Sequence, residues 1–331
     1  MFKRNRTVVL AGALVLEAFA RIQRKKKRIS FYHRVVVVTG GSRGLGLILA
    51  KRFAGQGAHV AICARDPDEV ENARKVLESQ GISVFAGVCD ISRRDEVEKF
   101  FAEVREELGP IDVLVNNAGI MRVGPFANIG ERDLQETMDV NFWGMVHATY
   151  ASLPDMIRRK SGRIVNITSI GGMVSIPHLL PYSVAKFAAV GFSQGIQSEL
   201  ARESVYVTTV VPGLMRTGSF VNASFKGRRA SEFRWFKLGA ITPLLSMNAE
   251  RAAEEIIEAC RHARPEITLG LPAKLFRRFH ALYPNLSARL LASVNRILPS
   301  ADSAPEAREA IPEPGRLYGH GSWDSRKFGE V

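Results

Sequence analysis

The stretch Arg34-Val-Val-Val-Val-Thr39-Gly40-Gly-Ser-Arg-Gly44-Leu-Gly46-Leu-Ile-Leu-Ala-Lys-Arg-Phe-Ala54 decides the fold of this chain. It begins with a β-branched run, which is typical of a strand buried on both faces of a parallel sheet. Glycines follow at once, and a helical segment comes next. Glycine lets the backbone approach a pyrophosphate, and the free N–H groups and dipole of a helix N-terminus favour negative charge. The stretch therefore predicts dinucleotide binding, although its glycine spacing differs from the common Gly-x-Gly-x-x-Gly.

Short apolar strands alternate with helical segments along most of the chain. Such alternation predicts an α/β fold of Rossmann type, a doubly wound parallel sheet of about seven strands with helices on both faces. Residues 34–270 have a length that fits one domain of this kind. The predicted strands lie near 35–39, 58–63, 82–88, 111–115, 163–168, 205–211 and 266–269, with helices that include 92–108, 131–158, 182–202 and 249–262.

Tyr182 and Lys186 stand four residues apart, about one turn of a helix, so their side chains project from the same face. A free tyrosine keeps its proton until about pH 10. A nearby positive charge stabilises the phenolate and lowers that pKa. The pair therefore predicts a tyrosine that exchanges a proton with an alcohol or carbonyl. The alternative is a chance spacing on an amphipathic helix.

Several motifs resemble, in order and spacing, the main single-domain branch of the short-chain dehydrogenase/reductase family. They are Thr39-Gly-Gly-Ser-Arg-Gly-Leu-Gly46, Asn116-Asn-Ala-Gly119, Asn141, Ser169, Tyr182-x-x-x-Lys186 and Pro212-Gly213, and the resemblance covers about residues 34 to 270. It implies an oxidoreductase that transfers hydride between a nicotinamide and a carbonyl or alcohol.

The resemblance implies four catalytic residues. Ser169 would donate a hydrogen bond to the substrate oxygen, and Tyr182 would deliver the proton. Lys186 would lower the tyrosine pKa and bind the nicotinamide ribose, and Asn141 would hold a water that links the lysine to solvent. The alternatives are that Ser169 caps a strand end and that Asn141 satisfies backbone groups inside a helix.

The resemblance also implies a set of cofactor contacts along the carboxyl ends of the strands. These are Gly40, Ser42, Arg43, Gly44, Leu45, Gly46, Arg65, Asp90, Ile91, Asn116, Asn117, Ala118, Gly119, Tyr182, Lys186, Pro212, Gly213 and Thr217. Asp90 has a plain alternative as the cap of the next helix, and the asparagines could simply tie strands together.

NADP(H) is the preferred cofactor, with NAD(H) as the alternative. The acidic position that holds the adenosine ribose in this family falls on Ala64, so no carboxylate stands there to repel a 2′-phosphate. Arg65 and Arg43 could bind that phosphate. Asp66 is expected to cap the next helix, and the alternative for Arg65 is a solvated surface arginine.

Residues 214–248 resemble, by their position, the substrate lid of the family. An irregular loop of this length is usually functional or disordered. Its aromatic residues predict a bulky apolar substrate such as a steroid, a retinoid or a long acyl chain. The alternative is that the rings pack onto the domain or onto a membrane. The aromatic residues are Phe220, Phe225, Phe233, Trp235 and Phe236.

The net charge of +13 is concentrated at the chain ends, since residues 1–34 hold ten Lys or Arg and one acid. Residues 1–33 are basic and apolar, but the apolar run is shorter than the roughly 20 residues that span a bilayer. The segment favours an anchor on anionic lipid, with the enzyme cytoplasmic or at the cytoplasmic face of a membrane. Helical spacing indicates an amphipathic extension over 271–298, which could instead cover the core or a dimer partner. Residues 299–331 are expected to be a mobile tail.

Other partner classes are less well supported. A nucleic-acid binder would carry its basic patch on a folded docking face, and no such motif is present. The three cysteines form no paired spacing and the seven histidines no metal-ligand spacing, so neither a disulfide framework nor a metal site is expected. The long helices near 131–158 and 182–202 resemble those through which family members form homodimers or homotetramers. The alternative function is a non-catalytic, membrane-associated dinucleotide-binding scaffold or sensor.

Overall fold

A computed structural model describes residues 27–217, 222–242 and 246–301. The predicted N-terminal anchor (apart from residues 27–33), Phe220, and the predicted tail beyond Ala301 lie outside these residues. Within the described part the strands are β1 (Val35–Thr39), β2 (His59–Ala64), β3 (Val84–Val88), β4 (Val113–Asn116), β5 (Arg122–Val123), β6 (Gly162–Ile167), β7 (Val205–Pro212), β8 (Leu214–Arg216), β9 (Ser224–Phe225), β10 (Ser246–Asn248) and β11 (Glu266–Leu269).

Helices connect these strands in the alternating order that the sequence predicts. In the described part they are α1 (Gly44–Ala54), α2 (Pro67–Glu78), α3 (Arg94–Leu108), α4 (Glu131–Met138), α5 (Gly144–Arg158), α6 (Leu180–Glu199), α7 (Arg229–Ile241), α8 (Ala249–Arg261), α9 (Leu271–Leu282) and α10 (Pro284–Asn295). A π-helical turn, Asp139–Trp143, joins α4 to α5.

The central sheet has seven strands in the order β11-β7-β6-β4-β1-β2-β3. Each neighbouring pair is parallel, so the carboxyl ends of all seven strands lie at one edge. The predicted fold class and the seven predicted strands are confirmed, with ends that differ by at most two residues. Strand order reverses beside β1, which is the place where open α/β sheets bind ligands.

Two hydrophobic cores cover the two faces of the sheet. Val36 and Val38 belong to one core, which includes residues of α1 and α8. Val35 and Val37 belong to the other, which includes residues of α3 and α5. Successive side chains of a strand point to opposite faces, so a run of four valines can feed both cores. This explains why β1 reads as a continuous apolar stretch.

The predicted lid is not an irregular loop. Its described residues contain β8, β9, α7 and β10, and all three of these strands are paired: β8 with β10, and β9 with β5. Phe225 and Phe236 are buried with Val123 and Leu179 in a third, small core, against which Phe233 and Trp235 pack. The four lid aromatics that the structure describes therefore pack onto the domain, as the alternative interpretation of the sequence had it.

The predicted C-terminal extension forms α9 and α10. Helix α9 runs back along the edge strand β11, where Arg277 pairs with Glu266 and donates to Thr268 Oγ1 at 2.9 Å. Helix α10 is nearly all exposed and buries only Ser287, whose hydroxyl lies 2.9 Å from His280 Nδ1 of α9. Among the described residues, none of the helices combines the length and apolar character that a bilayer crossing requires.

Candidate active site

The loop between β1 and α1 can be built only from glycine at three positions. Gly40 and Gly44 have φ of +63° and +54°, in the left-handed region that glycine adopts without strain. A Cβ on Gly46 would collide with the carbonyl oxygen of Gly40 and lie 2.5 Å from Nδ2 of Asn117. The loop thus leaves no room for side chains where it enters α1. The N–H groups of the first turn of α1, which includes Leu45, have no earlier partners in the helix, so this cradle suits a pyrophosphate.

The residues after β4 are tied to the glycine loop. Asn117 Nδ2 donates to the carbonyl oxygens of Thr39 and Gly40 at 3.0 and 2.9 Å. The Thr39 hydroxyl accepts from the backbone N–H groups of Asn117 and Ala118. Asn116 instead faces the next strand, because its Nδ2 donates to Asn166 Oδ1 at 2.8 Å. Both asparagines therefore tie strands together, as the sequence suggested.

An acidic residue that the sequence interpretation overlooked lies beside the glycine loop. Glu69, in the first turn of α2, forms an ion pair with Arg43 and accepts from the Ser42 hydroxyl at 3.1 Å. A carboxylate does therefore stand near the region where a 2′-phosphate was expected, although not at Ala64. The only signal for it in the sequence was the acidic first turn of α2.

The other residues that were predicted to contact the adenosine half of the cofactor follow β2 and β3. Arg65 is exposed at the end of β2. Asp66 caps α2 as predicted, because its Oδ1 accepts from the N–H of Glu69 at 3.1 Å. Asp90 Oδ1 accepts from the N–H and hydroxyl of Ser92 at 3.0 and 2.7 Å, in the turn before α3. The N-cap of α3 is Arg93, so Asp90 does not cap that helix. Ile91 is buried next to Gly144.

On the other side of the loop, the segment after β7 approaches α1. A Cβ on Gly44 would lie 3.7 Å from Cβ of Thr217, so Thr217 borders the glycine cradle. Pro212 ends β7, and the N–H of Gly213 donates to the Leu269 carbonyl at 3.2 Å. The predicted contacts Gly44 and Thr217 are thus brought together at one edge of the sheet.

Asn141 lies in the π-helical turn between α4 and α5, a feature that the sequence did not predict. Its Oδ1 accepts from the N–H of Ile120 at 2.7 Å, and its Nδ2 donates to the Ile120 carbonyl at 2.9 Å. The amide therefore satisfies backbone groups of the loop after β4, rather than groups inside its own helix. Single π-turns inside α-helices are often found at functional sites.

Ser169, Tyr182 and Lys186 meet beyond the end of β6. Ser169 Oγ accepts from the N–H of Gly171 at 3.0 Å and is hydrogen-bonded to Tyr182. Lys186 Nζ donates to the Ile167 carbonyl at 2.9 Å and lies 5.7 Å from the centre of the Tyr182 ring. A Cβ on Gly119 would lie 3.0 Å from Asn141 Oδ1 and 3.8 Å from Lys186 Nζ, which places Asn141 and Lys186 on either side of that glycine.

The electrostatics of the pair differ from the sequence prediction. Burial raises the pKa of Tyr182, while the hydrogen bond from Ser169 lowers it. Burial also lowers the pKa of Lys186 to about 8. The tyrosine pKa was expected to fall because of the lysine. It rises instead because removal from water penalises the phenolate more than the neighbouring groups stabilise it.

Comparison with known proteins agrees with this geometry. The family model for short chain dehydrogenases matches residues 34–226. A putative ketoacyl reductase of Streptomyces coelicolor is 37% identical over 185 residues, which are 55% of this chain and 71% of that protein. A fatty acyl-CoA reductase of Acinetobacter baylyi is 28% identical over 287 residues, or 86% of this chain and 92% of that protein.

The same relationship is seen among solved structures. A short-chain dehydrogenase from Streptomyces avermitilis superposes with a TM-score of 0.67 and 28% identity, over 80% of this chain and 98% of that one. The family match covers more than half of the chain, and it includes the glycine cradle and the Ser169, Tyr182 and Lys186 cluster. This chain is therefore an NAD(P)-dependent oxidoreductase that belongs to the short-chain dehydrogenase/reductase family.

Proposed function

We propose that this protein is an NADP(H)-dependent oxidoreductase that interconverts a hydrophobic, acyl-like carbonyl compound and the corresponding alcohol. The observation that carries the proposal is the meeting of Ser169, Tyr182 and Lys186 at the carboxyl edge of the sheet, beside a glycine cradle. A donor, a proton-exchanging phenol and a buried ammonium next to a dinucleotide site are the groups that carbonyl reduction requires.

Each side chain has a distinct role in this proposal. The bound nicotinamide supplies or accepts the hydride. Ser169 holds the substrate oxygen and stabilises the charge that develops there. Tyr182 gives its proton to that oxygen in reduction and takes it back in oxidation. Lys186 keeps the phenol oriented and replenishes its proton, and Asn141 fixes the backbone around Ile120 on the far side of Gly119.

The preference for NADP(H) is supported by two guanidiniums and opposed by one carboxylate. Arg65 is exposed at the end of β2, and Arg43 lies in the glycine loop. Glu69 already forms an ion pair with Arg43. A 2′-phosphate would therefore have to share the guanidinium with this carboxylate or displace it. Arg65→Ala is expected to weaken NADPH binding far more than NADH binding. Equal losses for both would remove Arg65 from the 2′-phosphate site.

An acyl-like substrate is supported by the apolar lid and by the two relatives. Met121 and Ile176 pack against the small core of the lid. The two relatives named above are described as reductases of ketoacyl and fatty acyl-CoA compounds. Because the aromatic rings of the lid pack against one another, a steroid or retinoid has less support than an acyl chain.

The experiment is a turnover assay of the full chain on a panel of ketones, aldehydes and their alcohols, read by NADPH fluorescence. Tyr182→Phe should abolish turnover and leave the affinity for NADPH nearly unchanged. A fully active phenylalanine variant would refute the role of Tyr182. Cofactor binding without turnover by the wild type on the whole panel would favour the scaffold or sensor function instead.

We also propose that α9 and α10 bind the cytoplasmic face of an anionic membrane. Residues 271–301 contain five Lys or Arg and no acid. Apolar side chains at helical spacing are exposed in the same segment, namely Leu271, Leu275, Leu282, Leu286, Leu290, Val294 and Ile297. An exposed apolar stripe with basic neighbours is what interfacial helices present to anionic lipid. Two copies would bring like charges together, which disfavours a dimer through this face.

Vesicle co-sedimentation tests this surface. The full chain should bind vesicles of phosphatidylcholine with phosphatidylglycerol, and the variant Leu286→Asp/Leu290→Asp should bind about tenfold more weakly or worse. Phe126→Asp, at an exposed aromatic residue outside these helices, is the control and should bind like the wild type. If the double variant keeps vesicle binding but loses an oligomer, the surface joins copies of the chain and the membrane proposal fails.

Pairing between copies is proposed for another surface. Helices α5 and α6 and the π-turn expose apolar side chains that no other described element covers, namely Trp143, Tyr150, Ile157, Val184 and Phe187. This supports a homodimer, or a homotetramer that contains it, formed through α5 and α6. Sedimentation of Tyr150→Asp/Phe187→Asp should show a smaller species than the wild type.

A further inference from the structure

Glu232 of the lid helix α7 is a fully buried carboxylate, with 0% of its side chain exposed. Both of its oxygens lie 2.9 Å from Nδ1 of His178. One of them also accepts from the indole N–H of Trp235 at 2.6 Å. A buried carboxylate is stable only when such donors replace water, so these contacts hold α7 in one position.

His178 belongs to the catalytic loop, which we define as residues 169–179, between Ser169 and the start of α6. It precedes Tyr182 by four residues and has φ of +63°, a left-handed conformation that is uncommon outside glycine. Its carbonyl accepts from the N–H of Gly124 at 2.8 Å, and its ring is buried. His178 is therefore held in place through both its backbone and its side chain.

Two contacts between the described part of the lid and the domain differ in what they touch. Just after β9, Lys226 Nζ lies 3.3 Å from Asp133 of α4, which is not part of the catalytic loop. At α7, Glu232 contacts His178, which is continuous with the segment that carries Tyr182. The second contact thus connects the lid helix to the segment that carries Tyr182, next to the packing of Leu179 in the small core that contains Phe236.

We propose that His178 and Glu232 are positioning residues that couple the closed lid to the placement of Tyr182. Substrate that packs under α7 favours the lid position in which Glu232 meets His178. That contact in turn fixes the loop that orients the phenol. Loss of either side chain leaves the other buried without its hydrogen-bond partner, so both the lid and the loop should loosen together.

The inference rests on the proposed function for its kinetic readout, and two variants address the same contact from opposite sides. His178→Asn keeps a residue that tolerates positive φ but is too short to reach the carboxylate. Glu232→Gln keeps the size of the side chain and removes its charge. Arg105→Gln is the control, because it breaks the Arg105–Asp155 ion pair between α3 and α5, away from the lid.

The kinetic prediction separates positioning from general destabilisation. Both variants should raise KM for a long-chain ketone and lower kcat for long and short ketones alike, each by about tenfold or more, because small misplacement of a catalytic group is costly. The double variant should lose no more activity than the more impaired of the two single variants. Arg105→Gln should lower the melting temperature but leave both constants near those of the wild type.

A second readout needs no turnover. The lid carries tryptic sites at Arg228, Arg229, Arg234 and Lys237. Trypsin should cut there about tenfold faster in His178→Asn and Glu232→Gln than in Arg105→Gln, since loss of the contact raises the open population. Wild-type cleavage rates, or faster cleavage with wild-type kinetics, would overturn the inference. Absence of turnover in the wild type would refute the proposed function instead.

Discussion

Lys186 is a buried ammonium that donates to a neutral group, the carbonyl of Ile167. Its charge is therefore maintained against burial, which lowers its pKa to about 8. A lysine whose pKa lies near neutral pH can lose and regain a proton during a catalytic cycle. This agrees with the proposed role of Lys186 in returning a proton to Tyr182.

The stability of the protein should depend on pH through this residue. The pKa of Lys186 is lowered from 10.5 to about 8 in the folded chain. The unfolded chain therefore binds one more proton between these two values, and the free energy of unfolding gains up to about 3 kcal/mol as pH rises through that window. Below pH 8 both states are protonated and the burial penalty is fully present.

Lys186→Met removes this dependence. Urea unfolding at pH 7 and pH 10 should show that the wild type gains stability relative to the variant by about 2 kcal/mol at the higher pH. Contributions from Cys63 and Cys260, whose pKa values are raised in the fold, cancel because both proteins contain them. A difference between the two proteins that stays constant with pH would contradict a lowered lysine pKa.

The Arg43–Glu69 ion pair makes a prediction about cofactor choice. Glu69→Gln should free the Arg43 guanidinium for a 2′-phosphate and tighten NADPH binding. A partly exposed ion pair is worth about 1 kcal/mol or less, so the gain should not exceed about fivefold. Fluorescence titration should show no gain for NADH.

Glu71→Gln is the matched control for that titration. Glu71 is an exposed acid on the same helix that pairs with Arg74 and Lys75. If it tightens NADPH binding as much as Glu69→Gln does, the effect is a general change of surface charge. The Arg43–Glu69 ion pair could not be predicted from the sequence. It joins residues of two successive strand–helix units, so it leaves no local sequence pattern.

At the level of elements, the π-turn Asp139–Trp143 carries Asn141 away from the regular face of the helix. The sequence predicted one helix over 131–158, and the apolar periodicity indeed runs through it. A single extra residue in one turn does not disturb that periodicity enough to be detected. The turn nevertheless decides where Asn141 points, namely at both backbone groups of Ile120.

Asn141→Ala should therefore destabilise the fold as well as the site. It leaves the N–H and the carbonyl of Ile120 without their partner, and each such loss costs about 1 to 3 kcal/mol when the group is buried. Urea unfolding should show a loss of about 2 to 4 kcal/mol. Gln135→Ala, which removes an exposed hydrogen bond to Asp139 on the preceding helix, should change stability little. Unchanged stability of Asn141→Ala would contradict the structural part of its role.

The lid shows why some elements escaped prediction. Strands β5 and β9 are two residues long and pair across about a hundred positions of sequence. Such short pieces carry no periodicity, and their pairing depends on tertiary packing. Glu232 of α7 is buried, whereas an acidic residue is normally predicted to lie on the surface. The histidine that contacts Glu232 could be found only in three dimensions.

For the whole molecule, the sheet topology could be predicted because strands and helices alternate and parallel crossovers obey a fixed hand. The same argument says nothing about residues added after β11. There, α9 contributes to the domain, since Ala273 packs on Gly213 and Arg277 holds Glu266. Helix α10 contributes little, because it buries only Ser287.

This difference predicts that catalysis and membrane binding can be separated by truncation. A chain that ends at Tyr283 keeps α9 and should retain its free energy of unfolding and its kcat within about twofold. It should lose most vesicle binding, because Leu286, Leu290, Val294 and Ile297 are removed with α10. A chain that ends at Gly270 should also unfold at lower urea concentration, since β11 then becomes an uncovered edge. Full vesicle binding by the chain that ends at Tyr283 would move the membrane contact away from α10, to α9 or to the basic residues before β1.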